Sequence, residues 1–403
     1  MIEGGVASFV ILLMAATAVA ILVKRVPVPY VTALALVGLV GGALIGAHRL
    51  HLSHSLILFV LVPGLLFEAA FNLDWKHLKD NLLAVIALAT LGVLVTTAVV
   101  AALGHFALGL SVAVAILFGA MVAPTDPVAV VAVFRRIGVP HRLANLVEAE
   151  SLFNDGTGVV LFTIALAATT TEVSPWVASL QFLQLAAGGI ALGVVGGFGL
   201  SRLMTRVDDP QVEITLTAIA AYGGYLLGES LHVSGLLTVV AAGLVLGNYG
   251  RPRAMSERTR SAVSVFWDYV AFVLNSVVFL LIGADVPWAT LINQWWIVVG
   301  AVVVVLVARA ISVYGLLALL RPFGRHINLR WQHIIFWSGL RGAIAVALLL
   351  SLTQSGPEFD TVRALVYGVV LISIVAQGLT IGPLARILLP HPSGAPDPDS
   401  IAA

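Results

Sequence analysis

Three short stretches carry residue types that could hold a small hard cation or a proton. The first is Ala123-Pro124-Thr125-Asp126-Pro127. Pro127 lacks an amide donor and clashes with the preceding turn, and Pro124 repeats the disturbance one turn earlier, so this stretch cannot be regular helix throughout. Its free carbonyls and the Thr125 hydroxyl are hard oxygen ligands, suited to alkali cations. The second is Glu150-Ser151-Leu152-Phe153-Asn154-Asp155-Gly156. Ser151 and Asp155 are i,i+4 neighbours, as are Glu150 and Asn154, so a helix here presents two adjacent polar faces. The expected division has Asp155 and Ser151 facing an ion, Glu150 turned to a buried cation, and Asn154 bracing the unwound Thr125–Asp126 backbone. The third is Ser338-Gly339-Leu340-Arg341-Gly342, a glycine-interrupted run around one arginine.

The elements that must position these residues are set by composition. Hydrophobic residues make up 60% of the 403 and charged ones 10%, against roughly 25% charged in a soluble globular protein. Lys and Arg number 21, Asp and Glu 20, too few to solvate the surface of a globule of this size. The chain therefore reads as an all-α polytopic membrane protein. The net charge of +1 gives no reason to expect nucleic acid. With no cysteine, disulfides, thiol catalysis and cysteine-bound metals are excluded.

A span needs about 20 mostly apolar residues. Charge, Pro and Gly clusters leave apolar stretches at 5–23, 27–47, 54–71, 81–103, 109–134, 143–170, 176–203, 211–229, 233–249, 262–284, 294–318, 331–354 and 360–388, about 13 transmembrane helices by the same length rule. The first stretch lacks a basic leader region and is read as a retained helix. Alternate connections carry Lys24, Arg25, Lys76, Lys79, Arg135, Arg136, Arg142, Arg202, Arg206, Arg251, Arg253, Arg258, Arg260, Arg321, Arg325 and Arg330, with Arg386 near the C-terminus; the opposite connections hold only Arg49 and Arg363. The positive-inside rule then puts the N-terminus outside and the C-terminus in the cytoplasm. Residues 390–403 form a short Pro-rich cytoplasmic tail.

Two basic residues, Arg309 and Arg341, fall inside spans, as do Glu68, Asp126, Glu150, Asp155, Glu229 and Asp268. Charge within the bilayer is costly and marks pairs, cavities or ion pathways. Asp155 lies about 18 Å deep at 1.5 Å per residue, and Arg309 and Arg341 fall near the same midplane. Glu229, Asp268 and Asp285 sit near span ends, where solvated faces are expected. His48, His51 and His54 cluster in an outer loop and read as solvated; His77, His141 and His326 are weak candidates for pH sensing. The interrupted stretches occupy spans five and twelve, the same position in 1–6 and 8–13 with span seven as connector. Paired broken helices in matching positions predict inverted six-helix repeats with crossed discontinuous helices.

At these residues a resemblance becomes specific. Phe67-Glu68-Ala69, Pro124-Thr125-Asp126-Pro127, Glu150 through Gly156 and Gly339-Leu340-Arg341-Gly342-Ala343 resemble, in order, the signatures of NhaP-type sodium/proton antiporters of the monovalent cation/proton antiporter family. The similarity spans the whole membrane region. It implies a homodimer, with an ion-translocating six-helix core (81–170 and 294–388) moving against a dimer-interface region (1–80 and 171–293). It implies Na⁺ coordination by Asp155, Ser151 and Thr125, with Glu68 contributing through water. Asp126 stands at the helix crossing, as ligand or as compensation for helix-end dipoles. Glu150 pairs with an arginine, and which of the two is left open: Arg309 is the first candidate, with Arg341 then compensating dipoles at the second crossing. Asn154-Asp155, rather than two successive aspartates, resembles the branch that exchanges one cation for one proton electroneutrally. The short tail leaves no room for the regulatory domain of the animal relatives.

The expected activity is secondary active exchange of Na⁺ or Li⁺ for H⁺ in a cell membrane, in the service of pH homeostasis. A carboxyl taken out of water holds its proton and a bound cation displaces it, so competition at one aspartate couples the two flows. No cofactor is expected beyond the transported ions. K⁺/H⁺ exchange is the nearest alternative, since hard oxygens accept either ion; a cation channel is a more distant one. An enzyme is not expected: Gly-x-Ser-x-Gly and His-Glu-x-x-His are absent from the sequence.

Overall fold

A computed structural model of the chain describes residues 2–26, 28–45, 54–169, 174–323, 327–352 and 356–389. His48, His51, the His54 side chain, His326, Arg49, Arg325 and the tail lie outside these residues. Among the described residues every regular element is a helix. In chain order these are α1 (Ile2–Val23), α2 (Tyr30–Ile45), α3 (54–72), α4 (Trp75–Leu108), α5 (Val112–Val122), α6 (Val128–Ile137), α7 (His141–Ala167) and α8 (Pro175–Met204). They continue with α9 (210–230), α10 (235–254), α11 (Glu257–Ala284), the short α12 (Trp288–Asn293), α13 (Trp295–Leu320), α14 (Leu329–Trp337), α15 (Ala343–Leu350) and α16 (Pro357–Leu388). Each expected apolar stretch coincides with helix, and those expected to be interrupted are split, into α5 and α6 and into α14 and α15. Among the described residues five helices, α4, α8, α11, α13 and α16, are long and apolar enough to cross a membrane by length and composition.

Helix starts follow local chemistry. Side chains of Asp74, Ser174, Asp209, Ser234, Ser256 and Asn328 accept the free backbone N–H groups that open α4, α8, α9, α10, α11 and α14. Several helices carry one π-type turn, at Ile57–Leu61, Ala87–Leu91, Ile219–Gly223, Leu246–Gly250 and Ser373–Gln377. Such turns often mark functional positions.

Apolar side chains in a bilayer gain nothing from leaving lipid, so helices associate through close contact at small residues. Gly38 and Gly42 of α2 lie against the backbone of Leu280 and Ala284 of α11, and Gly283 of α11 lies against Ala35. Any Cβ on that seam would meet main chain. The same helix pair is joined by Tyr30, whose hydroxyl lies 2.8 Å from that of Ser276.

Packing falls into two sets. In one, α2 lies on α11, α8 on α10 and α10 on α3; in the other, α4 lies on α13, α5 on α4 and α7, and α16 on α13 and α15. The cavity described next opens where the two sets meet.

Candidate functional site

The polypeptide unwinds at both interruptions, and the unwound segments pair with each other. The amide of Asp126 donates to the carbonyl of Leu340 at 2.8 Å. The Asp126 carboxylate accepts the amide of Val128 at 3.0 Å, at the start of α6, and the amide of Ala343, at the start of α15. One carboxylate thus caps two half-helices whose positive ends converge, which is the dipole-compensating role open to it on sequence. Gly342 is required beside it, because a Cβ there would overlap the carboxylate.

A second cluster fixes the first unwound segment to α7. Asn154 Oδ1 accepts the amide of Thr125 at 3.1 Å, and Asn154 Nδ2 donates to Thr125 Oγ1 at 2.8 Å. The Thr125 and Ser151 hydroxyls lie 2.8 Å apart. Asn154 Nδ2 also lies 3.2 Å from Glu150 Oε1, the i,i+4 contact expected along α7. Glu150 in turn receives Arg309 bidentately, Nη1 to Oε1 at 2.6 Å and Nη2 to Oε2 at 2.8 Å. Arg309 Nη2 also donates to the carbonyl of Ile335, at 3.0 Å, in α14. The buried pair therefore ties α7 to α13 and to the last turns of α14. Arg341 takes no part in it: its amide donates to Ser373 Oγ at 3.0 Å, and its guanidinium donates to the carbonyl of Gly339.

Asp155 differs from all these groups. It is 8% exposed, yet its carboxylate makes no hydrogen bond or ion pair among the described residues. It borders a cavity of about 70 Å³ lined by Thr125, Asp126 and Gly342 at the crossing, Ala69 of α3, Glu148 of α7 and Asn275 of α11. That volume admits a few water molecules. Along α7 the cavity runs from Asp155 to Glu148, about 10 Å at 1.5 Å per residue, toward the end bearing Arg135 and Arg142.

Two expected ligands stand differently in the cavity. Ser151 does not line it; its hydroxyl lies 2.8 Å from that of Thr125, which does. Glu68 does not line it either; its carboxylate accepts from Asn72 at 2.7 Å on its own helix, and Ala69 takes the place beside the cavity. Glu148 and Asn275 reach it instead. Glu148 was legible in principle, because Glu148, Ser151 and Asp155 recur at i, i+3 and i+7 on one helix face. Asn275 offered no such signal.

A family model described as sodium/hydrogen exchanger, transmembrane, matches residues 10–387. The chain belongs to the sodium/hydrogen exchanger family. Among similar proteins, the low-affinity Na⁺/H⁺ antiporter NhaS1 of Synechocystis is 40% identical over 385 residues, covering 92% of this chain and 72% of that protein. The Na⁺/H⁺ antiporter NhaP of Pseudomonas aeruginosa is 40% identical over 352 residues, covering 84% and 82%. The solved sodium proton antiporter MjNhaP1 of Methanocaldococcus jannaschii superposes with a TM-score of 0.80 at 22% identity, covering 96% of this chain and 99% of that one. In this exchanger-family chain the resemblance read from short motifs therefore extends over nearly the whole length, and the all-helical fold is shared.

Proposed function

We propose that this protein is a secondary active antiporter that exchanges Na⁺ for H⁺ across a cell membrane, with Li⁺ as an alternative cargo, and so serves pH homeostasis. The observation that carries the reading is Asp155, a buried carboxylate with no hydrogen bond or ion pair among the described residues, at the edge of a cavity beside two crossed half-helices. Membership of the sodium/hydrogen exchanger family and the relatives named as Na⁺/H⁺ antiporters support it.

In the mechanism, Asp155 holds either a cation or a proton. Thr125 supplies the hydroxyl and unwound backbone oxygens beside it, Ser151 holds that hydroxyl in place, and Glu68 contributes through water when the helices move. Asn154, Glu150 and Arg309 hold the first unwound segment, while Asp126 and Arg341 balance the half-helix ends. A bare charge at the midplane opposes movement through the bilayer interior, so the exchanger changes face only when Asp155 is neutralised. One site with one charge gives electroneutral one-for-one exchange. No step needs a cofactor or covalent chemistry.

The moving parts are a core (81–170 and 294–388) and an interface region (1–80 and 171–293) that pairs with a second copy in a homodimer. The cavity is walled by both, by Ala69 and Asn275 on one side and by α7 and the crossing on the other. The N-terminus lies outside and the C-terminus in the cytoplasm. The cavity's run toward Arg135 and Arg142 then makes this a cytoplasm-facing state.

The test uses purified protein in liposomes with an internal pH dye. External Na⁺, Li⁺, K⁺ or choline is added with and without a clamped membrane potential, for the wild type and Asp155→Asn. Voltage-independent alkalinisation by Na⁺ or Li⁺, lost in folded Asp155→Asn, is expected. Dominant K⁺ activity would keep the mechanism and change the cargo. Absence of cation-linked proton movement in folded wild-type protein would overturn the reading.

A further inference from the structure

On the far side of the second interruption from Asp155 lies another cavity, of about 20 Å³, bordered by Arg309, Gly339, Arg341, Ser373 and Gln377 and closed by apolar side chains of α13 and α16. It holds about one water-sized occupant. Its polar wall is chemically one-sided. Arg309 Nε, Arg341 Nε, Arg341 Nη2 and Gln377 Nε2 are all buried with no hydrogen-bond partner, and each is a donor. The three residues are 4%, 1% and 5% exposed. A Cβ placed on Gly339 would lie 2.7 Å from Arg309 Nε and 3.1 Å from Arg341 Nη1, so the two guanidinium groups flank that glycine. The acceptors within reach are engaged: the Gly339 carbonyl takes Arg341 Nη1, and Ser373 Oγ takes the Arg341 amide while donating to the carbonyl of Val370.

Charge is one-sided too. Arg309 is matched by Glu150, but Arg341 faces only the partial charge of a half-helix end and forms no ion pair among the described residues. A buried charge without a counter-charge is costly. A water molecule would accept two of these hydrogens, but it would bring two donors of its own to a wall with a surplus of donors and would supply no negative charge. Turning the Gln377 amide over would supply one acceptor for three guanidinium N–H groups. An occupant that only accepts, and carries negative charge, satisfies both deficits.

We propose that this cavity binds a small monatomic anion, chloride under ordinary ionic conditions, held between Arg309, Arg341 and Gln377. Ser373 and Gln377 bracket the π-type turn of α16, which widens that helix where the anion sits. The anion is a structural counter-ion to the crossing, separate from the cation cavity, and is not transported.

The experiment measures thermal unfolding of the purified full-length protein at fixed Na⁺ and ionic strength while gluconate is replaced by chloride or bromide. A Tm that rises and saturates with either halide is expected. Gln377→Glu places a permanent anionic acceptor in the cavity and is expected to remove the halide dependence. Crystals grown in bromide are expected to show an anomalous peak between Arg309 and Arg341, a readout that needs no variant. A wild-type Tm indifferent to halide and no anomalous peak would mean that water alone fills the cavity, and would overturn the proposal. A halide effect that persists undiminished in folded Gln377→Glu would place the anion elsewhere and overturn it equally.

Discussion

Asp126 and Gly342 meet at the crossing of the two interrupted helices: the carboxylate of one occupies the space that a side chain on the other would need. That carboxylate accepts the amides that open α6 and α15, and the Asp126 amide is bound by the carbonyl of Leu340. The crossing is thus a covalently discontinuous but hydrogen-bonded joint, and its geometry depends on a missing Cβ.

Gly342→Ala should therefore disrupt the joint. Overpacking a buried site costs about 1–3 kcal/mol, and here the group displaced is the cap of two helices. A Tm lowered by several degrees and severe loss of exchange are expected. Gly315→Ala on α13, where a Cβ meets nothing within 4 Å, serves as control; it should leave Tm unchanged or raise it slightly, since alanine favours helix by about 1 kcal/mol.

The Glu150–Arg309 pair is buried on both sides, with side chains 1% and 5% exposed. Removing one partner strands the other and costs about 3–5 kcal/mol, whereas removing both relieves the deficit. Arg309→Met and Glu150→Gln should each express poorly or unfold early. The double variant should unfold at a higher temperature than either single variant. A double variant no better than the worse single one would show that the pair does not act as a unit.

Much of this site was legible before any coordinates. The i,i+4 spacing of Glu150 and Asn154 foretold their contact, and the two prolines around Thr125 foretold the unwound backbone that Asn154 holds. Arg309 was favoured over Arg341 for Glu150, and the bidentate contact joins those residues. What could not be read was which side of each helix meets which neighbour. Glu68 is an acid in apolar surroundings like Glu148, but it lacks the spacing that puts Glu148 on one face with Asp155, and only the rotation of α3 about its axis decides that Ala69 rather than Glu68 borders the cavity. Asn275 reaches the cavity from α11, which the glycine seam holds against α2, a tertiary relationship that local pattern does not encode. The donor-rich cavity beside Gly339 likewise arises from two helices and the second interruption at once.

Asn154 should set cation affinity rather than turnover. It holds Thr125 through two hydrogen bonds, at 3.1 Å and 2.8 Å, and touches no part of the cavity itself. Asn154→Ala loosens the oxygen ligands without altering Asp155. Loss of a hydrogen bond worth about 1–1.5 kcal/mol corresponds to an increase in the Na⁺ KM of about tenfold, with a smaller change in maximal rate. Initial rates of dye-reported exchange against external Na⁺ would show it. An unchanged KM would mean that the unwound segment keeps its shape without this brace.

Glu148 stands at the other end of the cavity from Asp155, two turns along the same face of α7. Its side chain is 18% exposed, and Arg135 approaches it only to 4.0 Å, from a side chain 70% exposed. An ion pair with one member so solvated is weak, so Glu148 keeps most of its negative potential for an approaching cation. A carboxylate in such a place raises the local cation concentration without binding tightly, and its influence fades as salt screens it. Glu148→Gln should therefore raise the apparent KM for cytoplasmic Na⁺ about two- to fivefold at low ionic strength, where steering acts on capture. The penalty should shrink toward none when choline chloride brings the medium to about 0.5 M, where screening acts over only a few ångströms. Maximal rate should change little, because Glu148 does not hold the ion when the protein changes face. Everted vesicles or liposomes with the cytoplasmic face outward give the required geometry. A KM penalty independent of ionic strength would instead make Glu148 a direct ligand, and would move the cation site along α7 away from Asp155.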